Sequence, residues 1–270
     1  MLSKVGLFVF PSIIPRRAQL HLLDRLLHRD MANPCHKTNL HPHYEIDYPS
    51  NQLREHTSFF DIAAQDIVLR PKDPTVHKPL NMATVLNKKL RWTTLGGQYD
   101  WTRKLYPEGK PPPFPNDVAR LIEGLFPVMK AQAAILNLYS PGDTLSLHRD
   151  VSEECDKPLA SISLGCDALF VVGLSHGEDE CAEGDSNRVA SVTVRLRSGD
   201  VAVMSGQARF AWHGVPQVIA GTCPAWMQDW PCIGGLDEKS EDKHLKYARW
   251  KGWMAGKRIN LNVRQMRDNQ

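Results

Sequence analysis

The apolar positions change their period part-way along the chain. From Pro15 to Met31 leucines recur at helical spacing, with Leu20, Leu23, Leu26 and Leu27 on one side, so this stretch reads as an amphipathic helix. Weaker helical patterns cover Gln52 to Ala64 and Pro79 to Lys89. Asn116 is placed to cap a helix through Leu125, whose Val118, Leu121, Ile122 and Leu125 make a buried stripe. From Ala131 the pattern turns to short strands, at 133–140, 145–150, 159–165, 168–173, 191–197, 200–204, 209–213 and 258–264. Pro141-Gly142-Asp143 and Ser198-Gly199-Asp200 punctuate them as turns. Eight short strands in the second half predict a double-sheet jelly roll. The expected class is therefore α+β, a double-stranded β-helix (jelly roll) core with N-terminal helices packed on one sheet. Residues 221–254 interrupt the strands with a loop and then a helix from about Lys239 to Trp253. The apolar start, Val5 to Ile14, is broken by Pro11 and reads as an opening strand. It is too short to span a bilayer and poorly shaped for a secretion signal, so no membrane partner is expected.

Composition adds bounds. The 270 residues, 42% hydrophobic and 23% charged, suit one substantial domain or one with an elaborated start. The formal charge of +3 is uneven. Acidic residues dominate from Glu153 to Asp185, whereas Lys243 to Gln270 holds eight Lys/Arg and one acidic residue, Asp268. A basic end can steer a polyanion, and a solvated helix and tail would look the same. Six cysteines without a C-x-x-C pair argue against a disulfide framework and for a reducing compartment: cytoplasm, nucleus or mitochondrial matrix. A monomer is expected.

Three short segments carry the candidate chemistry. In an extended stretch side chains alternate between faces, so His148 and Asp150 project together, as do Asn137 and Tyr139. In the last strand Arg258, Asn260, Asn262 and Arg264 share one face, while Ile259, Leu261 and Val263 share the other. His213 lies at another predicted strand end. Two imidazoles and a carboxylate form the facial triad that holds non-haem ferrous iron, and a strand face with two guanidiniums suits a dicarboxylate beside it. The tripeptide alone is weak evidence, since His28-Arg29-Asp30 repeats it inside a predicted helix. A kinase catalytic loop is excluded, because Cys155 stands where its asparagine belongs and no glycine-rich loop is present. Cys35, His36, His41 and His43 crowd nine residues but match no zinc spacing, and read as a polar loop.

Asn137 through Asp150, Ser161 through Gly165, Ser198 through Gly206 and Arg258 through Arg264 resemble the AlkB family of iron- and 2-oxoglutarate-dependent dioxygenases. Leu90 through Gly96 and Tyr99-Asp100-Trp101 look like its eukaryotic branch typified by AlkB homolog one. The resemblance covers about 90–220 and 256–266. It implies Fe(II) on His148, Asp150 and His213, and O2 and 2-oxoglutarate as co-substrates. Arg258 would pair with the distal carboxylate of 2-oxoglutarate, assisted by Asn137, Tyr139 and Asn260, with Arg264 nearer the metal. Trp92 and Tyr99 match positions in a lid over the substrate base, and Glu153 is a further candidate for the base pocket. The implied division is an N-terminal helical extension over 1–90, a nucleotide-recognition lid over 91–115, and a dioxygenase core over 116–270 with the insertion 221–254. The implied reaction is oxidative demethylation of N-methylated nucleobases, first 1-methyladenine in tRNA, then methylated DNA. Two other classes stay open. One is a histone or protein hydroxylase or demethylase with a chromatin contact. The other is an iron-independent abasic-site DNA lyase using Lys243, Lys246, Lys251 or Lys257 as a Schiff base.

Overall fold

Period-two alternation in the second half closes into two facing antiparallel sheets. The computed structural model describes residues 5–49, 57–101, 103–175, 189–233 and 245–268. Its strands are β1 (Leu7–Phe10), β2 (Tyr44–Glu45), β3 (Val68–Pro71), β4 (Leu80–Asn81), β5 (Trp92–Gly96), β6 (Ala133–Tyr139), β7 (Leu145–His148), β8 (Leu159–Gly165), β9 (Ala168–Ser175), β10 (Val189–Leu196), β11 (Val201–Met204), β12 (Trp212–Val218) and β13 (Arg258–Arg264). The larger sheet runs β1-β11-β8-β13-β6-β5, the smaller β10-β9-β12-β7, and a three-stranded sheet β2-β3-β4 stands apart.

The last strand in sequence is central in the larger sheet. β13 pairs with both β6 and β8 along all its residues. Its odd positions, Ile259, Leu261 and Val263, are fully buried, each worth about 1.5–3 kcal/mol of burial. Its even positions form the expected polar face. The register sets Trp92, Asn137, Asn260 and Ser163 in one row across that face, and Tyr139 and Arg258 in the next. Gly165 lets β8 turn beneath this strand. Its φ is +86°, and a Cβ there would lie 2.3 Å from the Lys257 carbonyl oxygen.

The N-terminal half follows its helical patterns in part. α1 (Arg16–Leu23) continues in wider π-type turns to Asp30, where the Met31 N–H donates five residues back to Leu26 at 2.9 Å. Over Pro79 to Lys89 a strand residue pair comes first, then α2 (Met82–Thr84) and π-type turns, with the Asn81 side chain accepting from the Thr84 N–H. α3 (Asn116–Leu125) begins one residue earlier than the expected cap at Asn116 implies. Pro115 holds the cap position and Asn116 makes no capping hydrogen bond. The helix expected over Gln52 to Ala64 lies partly outside the described residues, and its described end is a single 3-10 turn, Ile62–Ala64.

Three further expectations change. Residues 92–96 of the expected lid are strand β5. Residues 37–39 run beside it, with the Thr94 N–H donating to Lys37 O at 2.8 Å, so this sheet edge is covered. The strand expected over 209–213 instead begins at Trp212, after a 3-10 turn, Gly206–Phe210. The helix expected from Lys239 begins outside the described residues. Its described part is helical at Leu245 and Lys246 and then gives way to short 3-10 turns, Ala248–Trp250 and Trp253–Gly256, parted by left-handed Gly252. These turns pack inward. Phe60 meets the rings of Trp230, Trp250 and Trp253 at 5.1, 5.4 and 4.9 Å, and Trp230 Nε1 donates to Asp24 Oδ1 at 2.8 Å. One hydrophobic core therefore takes residues from the N-terminal segment, both sheets and the 221–254 region.

Candidate metal centre

His148 closes β7, and His213 is the second residue of β12. The two strands pair antiparallel with these histidines in direct register, and the imidazole centroids stand 4.4 Å apart. Gly214 permits this approach. A Cβ there would come 2.8 Å from the Leu145 carbonyl oxygen on β7. Asp150 follows two residues after His148. Its Oδ1 lies 3.9 Å from His148 Nε2, and its Oδ2 lies 3.8 Å from His213 Nε2. The three ligand atoms fall within 4.8 Å of one another, and among the described residues this is the one group able to hold a metal ion.

The tautomers suit a metal. His148 Nδ1 lies 2.9 Å from the Ser146 carbonyl oxygen and His213 Nδ1 lies 3.0 Å from that of Ala211. A carbonyl only accepts, so each Nδ1 carries the proton and each Nε2 keeps its lone pair. Burial pulls the His213 pKa down, which favours the neutral ring. Burial would push the Asp150 carboxyl up, but the Arg264 guanidinium, with His213 and His148, outweighs it and holds the group at about 2.

The β13 face lies against this cluster. Arg264 Nη2 and Asn262 Nδ2 donate to Asp150 Oδ2 at 3.2 and 3.3 Å. Arg258 is 1% exposed and donates from Nη2 to Ser163 Oγ at 3.1 Å, yet its Nε and Nη1 have no partner. Burial brings its guanidinium down to about 10, eased by nearby Tyr139. Asn260 donates to Ser161 Oγ and the Ile162 carbonyl. A buried cation with two free donors fits an anionic ligand, and a planar guanidinium fits a carboxylate.

The remaining expected site residues divide. Trp92 meets Trp101 at 5.0 Å with the rings tilted, Trp101 meets Tyr99 at 4.8 Å, and Tyr99 meets Tyr106 at 5.3 Å. Ser152 donates to Tyr99 Oη at 3.2 Å, which ties this aromatic ladder to the metal segment. Glu153 departs from its expected place on a base pocket. Its side chain is 1% exposed, and both oxygens accept from guanidiniums, Arg209 at 2.7 Å and Arg264 at 2.9 Å. Arg209 escaped sequence reasoning altogether, because nothing near it in the chain marks an arginine as buried. The repeated tripeptide at 28–30 is no metal site. His28 stacks on Trp230 and Tyr247, and Asp30 pairs with Arg29. In the 35–43 loop His36 bonds the Asp30 carbonyl and His41 accepts from the Thr38 N–H, so neither converges with the others.

Residues 6–264 match the model of the 2OG-Fe(II) oxygenase superfamily. The chain belongs to that superfamily. Relatives place this oxygenase in the AlkB homolog one branch. It is 48% identical to the N6-methyladenosine RNA demethylase ALKB1 of Pyricularia oryzae, over 97% of this chain and 75% of that one. It is 34% identical to the tRNA demethylase abh1 of Schizosaccharomyces pombe, over 98% of this chain and 80% of that one. Among solved structures it is similar to that of OsALKBH1, with a TM-score of 0.55, 17% identity and 96% of each chain covered, which shows a shared fold. The oxygenase uses Fe(II), 2-oxoglutarate and O2. No helix among the described residues is long and apolar enough to cross a membrane.

Proposed function

We propose that this oxygenase removes N-methyl groups from nucleobases, with methylated adenine in RNA as its substrate class. The observation that carries the reading is the pairing of a facial triad with a buried arginine, two of whose donors lack a partner, on the same β13 face that reaches Asp150. His148, Asp150 and His213 would hold Fe(II). Arg258 would take the distal carboxylate of 2-oxoglutarate, with Asn137, Tyr139 and Asn260 beside it. The bound iron and co-substrate supply oxidation of a methyl C–H bond by O2. The overall change converts N–CH3, O2 and 2-oxoglutarate to N–H, formaldehyde, succinate and CO2.

The chain's own residues orient and exclude. Arg264 and Asn262 fix Asp150, the carbonyls of Ser146 and Ala211 fix the two imidazoles, and the apolar β13 face seals the space from behind. Trp92 and Tyr99 would stack the target base, which has to leave its helix to reach the metal. Residues 97–115 serve as the lid in this reading. The N-terminal helical segment covers the larger sheet, and the 221–254 region steadies that cover. One chain carries every residue named, so a monomer suffices.

Among relatives, the named demethylases act on N6-methyladenosine RNA and on tRNA. 1-Methyladenine in tRNA stays the leading substrate, N6-methyladenosine comes next, and methylated DNA follows. The test mixes enzyme, Fe(II), 2-oxoglutarate and a panel of such oligonucleotides anaerobically, then admits O2 and measures succinate and methyl loss together. A methylated histone peptide in the panel tests the protein-directed alternative. Methyl loss from the peptide but from no nucleic acid would move the function there.

A further inference from the structure

Behind Asp150, charged side chains are shut away from solvent in a closed circuit. Arg209 is 1% exposed. It donates from Nη1 to the Asp150 main-chain carbonyl at 2.6 Å, from Nη2 to Glu153 Oε2 at 2.7 Å, and from Nε to the Lys157 carbonyl at 3.0 Å. Arg264 donates from Nη1 to Glu153 Oε1 at 2.9 Å and from Nη2 to Asp150 Oδ2 at 3.2 Å. Glu153 thus gives one oxygen to each guanidinium. The side-chain donors on Asp150, Arg264 and Asn262, both fall on Oδ2. Oδ1 accepts neither donor and lies 3.9 Å from His148 Nε2, while Oδ2 lies 3.8 Å from His213 Nε2.

A guanidinium facing a lone carboxylate favours two parallel hydrogen bonds, one to each oxygen. In that pairing Arg264 would cover both oxygens of Asp150 and compete with a metal for Oδ1. Glu153 takes Nη1 out of that pairing and Nε is left without a partner, so Nη2 alone reaches Asp150. We infer that Glu153, held by Arg209, is a positioning residue that splits the Arg264 fork, so that Asp150 keeps Oδ1 for the metal. The role concerns metal ligation alone and holds whichever base is oxidised. It also accounts for an ion pair sealed from water at a place where, for stability alone, apolar residues would serve as well.

The test removes the pair together, so that no charge is stranded. Arg209→Met/Glu153→Leu should leave the metal-free protein folded, with a melting temperature close to the parent's. Its affinity for Mn(II), used as an oxygen-stable probe and measured by equilibrium binding without co-substrate, should fall roughly 10- to 100-fold. Adding Arg264→Lys should then restore much of the loss, because an ammonium cannot make the two-bond fork. A purely structural pair would give the opposite result: Mn(II) affinity within twofold of the parent in the double variant, or no recovery in the triple variant. Either outcome overturns the inference. If the double variant does not fold, Glu153→Gln with and without Arg264→Lys is read by the same two criteria.

Discussion

Replacing Arg258 with methionine should separate stability from co-substrate binding. The side chain is 1% exposed, and two of its nitrogen donors have no partner. Burial draws its guanidinium from the ordinary 12.5 down to about 10. At about 1.4 kcal/mol for each tenfold change, carrying that charge costs the ligand-free protein about 3 kcal/mol. Met fills similar space without charge, so Arg258→Met should leave the free energy of unfolding in urea unchanged or raise it by up to about 3 kcal/mol. A bound carboxylate would engage the two free donors, each charge-assisted hydrogen bond contributing about 1.5–3 kcal/mol. Their loss should weaken 2-oxoglutarate binding to the Mn(II)-loaded protein by roughly two to four orders of magnitude. The reasoning fails if the variant loses more than about 2 kcal/mol of stability while its 2-oxoglutarate affinity stays within about threefold of the parent.

Further expectations follow from neighbouring geometry. Gly214→Ala places a Cβ 2.8 Å from the Leu145 carbonyl oxygen, so β7 must move from β12 and part the two histidines. Mn(II) affinity should fall about tenfold with an unchanged circular dichroism spectrum, and an unaltered affinity would refute that strand coupling. His41 is held at about 4 by burial, reinforced by Lys37. The unfolded chain takes up the proton first, near pH 6.5, so stability should be lost as pH falls from about 6.5 toward 4. His41→Asn should flatten that slope of urea midpoint against pH, and an unchanged slope would count against it. Trp92→Ala should reduce kcat/KM on a methylated oligonucleotide by about 1–3 kcal/mol of lost stacking, while 2-oxoglutarate affinity is kept. Equal losses in both would place Trp92 in the co-substrate pocket instead.

The metal site was legible because its spacing survives any small error of strand boundary. His148 and Asp150 share a face whenever 148–150 is extended, and Arg258 through Arg264 alternate polar and apolar without exception. Trp92 through Gly96 was harder to read. It is an edge strand with an aromatic start and two threonines, and its pairing partner β6 lies some forty residues on. Arg209 and Phe210 passed for strand because the single 3-10 turn that they close is too short to show a period. Beyond Lys246 the expected helix gives way to 3-10 turns parted by one left-handed glycine, Gly252. Glu153 looked like an acidic loop residue, since the arginine that buries it, Arg209, is 56 positions away. Long-range charge pairing leaves no local mark, whereas alternation and ligand spacing do.

The most direct measurement follows methyl groups and succinate in one reaction. A 1-methyladenine-bearing tRNA and an N6-methyladenosine-bearing RNA are each incubated with enzyme, Fe(II) and 2-oxoglutarate under argon, and O2 is then admitted. One methyl should disappear for each succinate formed in at least one of them, and Asp150→Ala should abolish both signals. Methyl loss that persists in that variant, or succinate formed with every nucleic-acid methyl intact, would contradict the account.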